Sequence, residues 1–225
     1  MANWFNLILD TLGPQDPSVS INSGDAYTND QLVTLSIGTS DSDKTGYQMK
    51  IWGNVDATYD TNIQATEANS KWITFATSKQ VKLSTGDGTK TVYVKLRDDV
   101  WNESAQASDS ITLDTTVPVV TITGPDVSKI SKVASKDTAA FSFSVDQTFV
   151  EYKVKVVPST SSLHTAGTQI PITAGSTNMS GTGSFAASTP ISCTIKGADL
   201  ETASAGDGTK IIKVFVKDAA GNWSV

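Results

Sequence analysis

Chemistry needs side chains that move protons, attack carbon or hold metals, and this 225-residue chain has few: one histidine, His164, and one cysteine, Cys193. One thiol excludes a disulfide within the chain, and one thiol with one imidazole removes most nucleophilic-triad and zinc chemistry. His164 lies in the polar stretch Ser161-Ser162-Leu163-His164-Thr165-Ala166-Gly167 and Cys193 in an alternating run, so an exposed imidazole and a buried, inert thiol are expected. Carboxylates are the remaining candidates. Asp98, Asp99 and Asp114 could converge near a domain boundary, Asp218 repeats the first of them, and hard oxygen ligands of this kind suit calcium. No Asp-x-Asp-x-Asp-Gly loop occurs, however, and aspartates in turns commonly serve the turn itself. Gly86-Asp87-Gly88 and Gly206-Asp207-Gly208 are followed by neither Gly-Lys-Ser nor a helical pattern, so they read as hairpin turns and not phosphate loops. The sequence therefore predicts no catalytic, cofactor-binding or metal-binding residue, no cofactor, and a protein that is not an enzyme.

The elements that position these residues are strands. Thirty Thr and 27 Ser make up a quarter of the chain, and apolar residues at 38 % are enough to fill cores. The net charge of −6 argues against nucleic acid, whose phosphates call for clustered Lys and Arg. No run approaches the roughly 18 apolar residues of a membrane span, so membrane insertion is not expected. The apolar stretch Trp4–Leu9 has no basic residue before it and ends at Asp10, unlike a signal peptide. The expectation is synthesis in a host cytoplasm.

An internal repeat sets the organisation. Gly86-Asp87-Gly88-Thr89-Lys90 recurs 120 positions later as Gly206-Asp207-Gly208-Thr209-Lys210. The register then holds: Val92, Val94 and Leu96 match Ile212, Val214 and Val216, while Asp98 and Asn102 match Asp218 and Asn222. Each copy reads as a Gly-rich turn, an alternating strand with one apolar face, and an Asp-to-Asn loop with a tryptophan, Trp101 or Trp223. Val33, Leu35, Ile37 and Tyr47, Met49, Ile51 alternate likewise in the first copy, as do Phe141, Phe143, Val145 and Val150, Tyr152, Val154, Val156 in the second. The predicted class is all-β, two tandem sandwiches of about seven strands each. Trp52 and Trp72 are expected in the core, and Trp101 and Trp223 as caps on the sandwich ends. The long Ser/Thr/Gly-rich insertion from Pro158 to Pro190 favours an extra pair of hairpin strands.

On Leu113-Asp114-Thr115-Thr116-Val117-Pro118, Gly206-Asp207-Gly208-Thr209-Lys210 and Asp218-Ala219-Ala220-Gly221-Asn222, the chain resembles the bacterial immunoglobulin-like repeats of adhesins and phage structural proteins. The resemblance covers most of the chain and is closer in the second copy; the first copy's loop, Asp98-Asp99-Val100-Trp101-Asn102, lacks the glycine. It implies two immunoglobulin-like β-sandwiches, used in that family as spacers, decorations or adhesive modules, some stiffened by calcium at their linkers. It makes a phage virion the expected location, with a bacterial cell surface as the alternative.

A second repeat displaces the ends. Leu9-Asp10-Thr11 recurs 104 positions later as Leu113-Asp114-Thr115, which closes the strand Ser110-Ile111-Thr112-Leu113. Trp4–Leu9 thus looks like a last strand with no domain before it, whereas the second sandwich stops at Asn222-Trp223-Ser224-Val225 without one. The expected division is an arm over 1–13, a first sandwich over 14–114 and a second over 115–225 that lacks its last strand. Strand donation between subunits follows as a mechanism, with Trp4, Phe5, Leu7, Ile8, Leu9, Trp223 and Val225 as interface residues. The alternatives are an arm that folds back as an ordinary first strand beside a second unit that is a six-stranded sandwich with a short edge, or a chain cut from a longer array. The expected partners are proteins, either copies of this chain or other virion proteins. The alternative function is a carbohydrate- or receptor-binding adhesin module, with a host-surface glycan as partner and exposed aromatics around one loop cluster.

Overall fold

The computed structural model describes residues 4–225, so Met1, Ala2 and Asn3 of the arm lie outside the described residues. Thr115 closes one unit and Thr116 opens a second. In the first unit, β1 (Ser18–Ile21), β3 (Leu32–Gly38) and β6 (Ser78–Lys82) form one sheet. β2 (Tyr27–Thr28), β4 (Gln48–Gly53), β5 (Ile73–Thr74), β7 (Gly88–Arg97) and β8 (Ala107–Leu113) form the other, in the order β2-β8-β7-β4-β5. Counting long strands only, a three-strand sheet of the first, second and fourth (β1, β3, β6) faces a sheet in which the sixth, fifth and third (β8, β7, β4) are neighbours, which is the immunoglobulin-like arrangement. Alternation explains the core. Val33, Leu35 and Ile37 from one sheet and Met49, Ile51, Val92, Val94, Leu96 and Ile111 from the other all point inward and are buried. Gly86 (φ 82°) and Gly88 (φ 122°) turn the chain into β7, and Gly206 (φ 82°) and Gly208 (φ 124°) repeat that geometry, which is why this motif needs glycine.

The second unit repeats the plan. β9 (Val120–Thr123), β10 (Thr138–Val145) and β14 (Ile191–Lys196) form one sheet. In the other, β11 (Phe149–Val157) pairs on one side with β15 (Ile211–Lys217) and also pairs with β12 (Thr168–Gln169) and β13 (Ser180–Phe185). The core is more aromatic, with Phe143, Phe149 and Tyr152 packed together at centroid separations of 5.2–6.4 Å. The all-β class holds for both units.

Two local features depart from the sequence reading. The Pro158–Pro190 insertion does supply two strands, but β12 and β13 each pair with β11 and not with one another, so they are not a hairpin. A short helix, α1 (Gly197–Ala203), follows β14. Its Asp199 is fully buried and accepts hydrogen bonds from the Thr173 hydroxyl (3.0 Å) and the amides of Ala174 (2.8 Å) and Ser176 (2.9 Å). Burial alone would raise this carboxyl, but the hydrogen bonds outweigh it and hold the group below its usual range.

Candidate functional site: the open edge of the second unit

The residues with chemical potential serve structure. Cys193 lies in the second core with its Sγ 3.3 Å from the Asn178 carbonyl, and burial pushes the thiol up to about 11. His164 stacks on Trp223 at 4.5 Å and 6°. Burial, aided by Lys153 and Lys155, holds its imidazole below the usual range. Asp98 accepts the amides of Val100 (3.0 Å) and Asn102 (2.8 Å) and the Asn102 side chain (2.9 Å), so both its oxygens serve their own loop. Asp218 does the same with Asn222, at 2.8 Å and 2.9 Å. Among the described residues no three His, Cys, Asp or Glu side chains are grouped to hold a metal.

The second unit differs from the first along one strand edge. In the first unit β7 runs ten residues, with β4 on one side and β8 on the other. Its counterpart β15 runs seven and pairs with β11. Among the described residues its other edge carries only the bridge Lys217–Trp223, which matches Arg97–Glu103 in the first unit. Gly208, Thr209 and Lys210, the counterparts of the first three residues of β7, therefore lie outside any ladder. A strand edge of this kind leaves backbone donors and acceptors turned to solvent.

Beside this edge lies a cleft of about 590 Å³, with Ile122, Phe141, Ile195, Leu200, Lys210 and Ile212 among its walls. Its origin is visible by comparison between the units. Ile21 pairs with Leu35, and Ile122 with Phe143 at the equivalent register, yet Ile21 is 0 % exposed and Ile122 is 46 % exposed. In the first unit β8 covers this region with Ile111 and Leu113, each 1 % exposed. The paired lysines report the same difference. Lys90 is buried, with its Nζ donating to Ser84 Oγ (3.3 Å) and the Thr85 carbonyl (3.1 Å), whereas Lys210 is only half-buried. Apolar walls beside an unpaired backbone are the surface that accepts an added β-strand.

The arm is a second exposed apolar feature. Trp4, Phe5, Leu7, Ile8 and Leu9 are each 79–89 % exposed and form no strand, so the arm does not fold back as a first strand. Its root is fixed. Asn102 Nδ2 donates to the Asp10 carbonyl at 3.3 Å, and Gly13 lies so close to Glu103 that a Cβ there would sit 2.2 Å from its carbonyl oxygen. Of the other predicted interface residues, Val225 is exposed, but Trp223 is half-buried under His164, with Lys153 and Lys217 Nζ 5.0 and 5.4 Å from its ring centroid. Sequence reasoning points to Trp4–Leu9 but not to the cleft walls Ile122, Phe141, Leu200 and Ile212. The available signal was the pairing of β8 with its neighbours in the first copy.

A second surface contradicts the capping role expected of Trp101. This residue is 71 % exposed, at φ 72°. The Arg97 guanidinium sits between it and Trp72, 5.0 and 4.5 Å from the two ring centroids, and Lys50 Nζ is 4.8 Å from Trp72. Trp72 thus lies in a cation–π ladder and not in the core, whereas Trp52 is buried and stacked on Tyr93.

No protein-family model matches the chain, and no curated protein matches it. Among solved structures, the fibronectin(III)-like modules of CbhA from Clostridium thermocellum align over 92 % of this chain and 89 % of theirs, at 12 % identity and a TM-score of 0.47. Chitinase ChiA74 from Bacillus thuringiensis aligns over 92 % of this chain and 30 % of its own, at 15 % identity and a TM-score of 0.31.

Proposed function

We propose that this protein is a non-enzymatic structural module that joins protein subunits, a phage virion component of tail, capsid-decoration or fibre type, and that the open edge of its second unit is the joining surface. The observation that carries this reading is the apolar cleft running beside the edge of β15 that, among the described residues, carries only the Lys217–Trp223 bridge, where the first unit has β8. The virion setting is supported by the resemblance of the Leu113–Pro118 junction, the Gly206–Lys210 turn and the Asp218–Asn222 loop to the immunoglobulin-like repeats of adhesins and phage structural proteins. Sedimentation velocity over a wide concentration range tests the joining role. The native chain forms larger species as concentration rises. Ile122→Asp, at a half-open position where the sandwich tolerates a charge, weakens self-association more than tenfold, because docking would bury an unpaired carboxylate. A native chain that stays monomeric throughout, or an Ile122→Asp chain that assembles equally well, contradicts this reading.

The exposed Trp101 favours a second reading, a glycan-binding module at a bacterial cell surface, because an open indole face stacks on sugar C–H groups. In that case acidic oligosaccharides quench tryptophan fluorescence on titration, and Trp101→Ala abolishes the response. Titration curves that are flat in the native chain remove this role.

A further inference from the structure

The proposed joining surface leaves its occupant open, and the two internal repeats together specify one. In the first unit β8 lies antiparallel to β7 with Leu113 opposite Gly88, Thr112 opposite Thr89, Ile111 opposite Lys90, Ser110 opposite Thr91 and Asp109 opposite Val92. The 120-residue repeat carries the β7 positions to Gly208, Thr209, Lys210, Ile211 and Ile212. The 104-residue repeat carries the β8 positions back to Leu9, Ile8, Leu7, Asn6 and Phe5. Resting on the joining role above, we infer that the strand completing the second unit is Trp4–Leu9 of another copy of this chain, antiparallel to β15, with Leu9 opposite Gly208, Leu7 opposite Lys210 and Phe5 opposite Ile212.

Side-chain parity agrees with this register. Ile111 and Leu113 face the core of the first unit while Ser108 and Ser110 face solvent. Their equivalents put Leu7, Leu9 and Phe5 into the cleft and leave Trp4, Asn6 and Ile8 outside. On the cleft-facing side, where Leu7 and Leu9 stand for Ile111 and Leu113, the one substitution in character is informative. Where the arm has Phe5, β8 has Asp109, whose carboxylate accepts the amide of Ile21 at 2.8 Å. The equivalent of Ile21 is the exposed Ile122, so the cleft presents an apolar wall where Phe5 arrives. Phe5 suits the empty cleft, and Asp109 suits the filled one, so the two strands are not interchangeable.

The root of the arm gives the assembly its direction. Leu113-Asp114-Thr115 ends the last strand of the first unit and leads into the second, while Leu9-Asp10-Thr11 would end the donated strand and lead into the donor's first unit. The junction between copies thereby reproduces in sequence the junction within one copy. Each copy gives one strand and receives one, a heterologous contact that extends head to tail or closes as a ring.

A cysteine pair at two positions the register places opposite one another tests it while leaving Phe5, Leu7, Leu9 and the apolar cleft walls in place. Ile8→Cys in one chain and Thr209→Cys in another are mixed and oxidised; native Cys193 stays silent because it is 2 % exposed. The expected product is a disulfide-linked dimer, formed at least tenfold faster than with Ile8→Cys against Ile211→Cys, two positions out of register. In parallel, deletion of residues 1–9 abolishes oligomers of the native chain, and an added peptide spanning residues 4–11 binds the deleted chain. Three results overturn the inference while leaving the joining role intact: equal or faster linking of the shifted pair, oligomers that survive the deletion through pairing of two β15 edges, or a link within a single chain carrying both cysteines that forms at the same rate on dilution. A native chain with no oligomers at all overturns the joining role and the inference together.

Discussion

Appending two linker residues and then Trp4-Phe5-Asn6-Leu7-Ile8-Leu9 after Val225, with the original arm removed, gives a monomer whose second unit melts roughly 5–15 °C higher than in the native chain. The linker length comes from the repeats: Val225 stands where Ala105 does and Trp4 stands where Ser108 does, so two residues separate them. Full burial of Phe5, Leu7 and Leu9 is worth roughly 1.5–3 kcal/mol each. Ordering six residues opposes it by about 1–2 kcal/mol each, and each new ladder bond returns about 0.5–1.5 kcal/mol. These terms nearly cancel. What tips the balance is that Ile122, Phe141 and Ile212 lose their water as well. A surplus of one or two kcal/mol in a unit of this size moves the melting temperature by about 4–8 °C for each. Differential scanning calorimetry of the two chains checks the shift, and an unchanged melting temperature means that the cleft has no use for this strand. The same arithmetic predicts that the link between separate copies is weak, because there the surplus must also offset the roughly 4–15 kcal/mol lost in translational and rotational freedom.

The strands were legible because their signal is local. Val92, Val94 and Leu96 alternate with polar residues in a way only a half-buried strand satisfies, and all three are buried. The two internal repeats were equally legible, since the recurrence of Leu-Asp-Thr at a spacing other than that of the Gly-Asp-Gly turns is a fact of order along the chain. The cleft walls were not. Ile122 carries the same apolar signal as Ile21, and what exposes it is the lack of a neighbouring strand, which no local pattern encodes. Helix α1 was invisible for a related reason: seven residues give no periodic signal, and Asp199 holds it through bonds to residues 173–176, over twenty positions away. Trp101 misled through its size. Large aromatics usually bury, but its loop is set by Asp98, and the side chain finds its partner in Arg97 on the outer face.

Gly208-Thr209-Lys210 lies outside any ladder in a single copy and joins one if a second copy supplies Trp4–Leu9. Hydrogen exchange of this segment, followed by mass spectrometry at low and high protein concentration, therefore addresses the proposed strand addition itself. The account predicts that exchange of residues 208–210 slows at least tenfold as concentration rises, through protection by the new ladder, and that the slowing disappears when residues 1–9 are deleted. Equally fast exchange at every concentration, or slowing that persists without the arm, would contradict it.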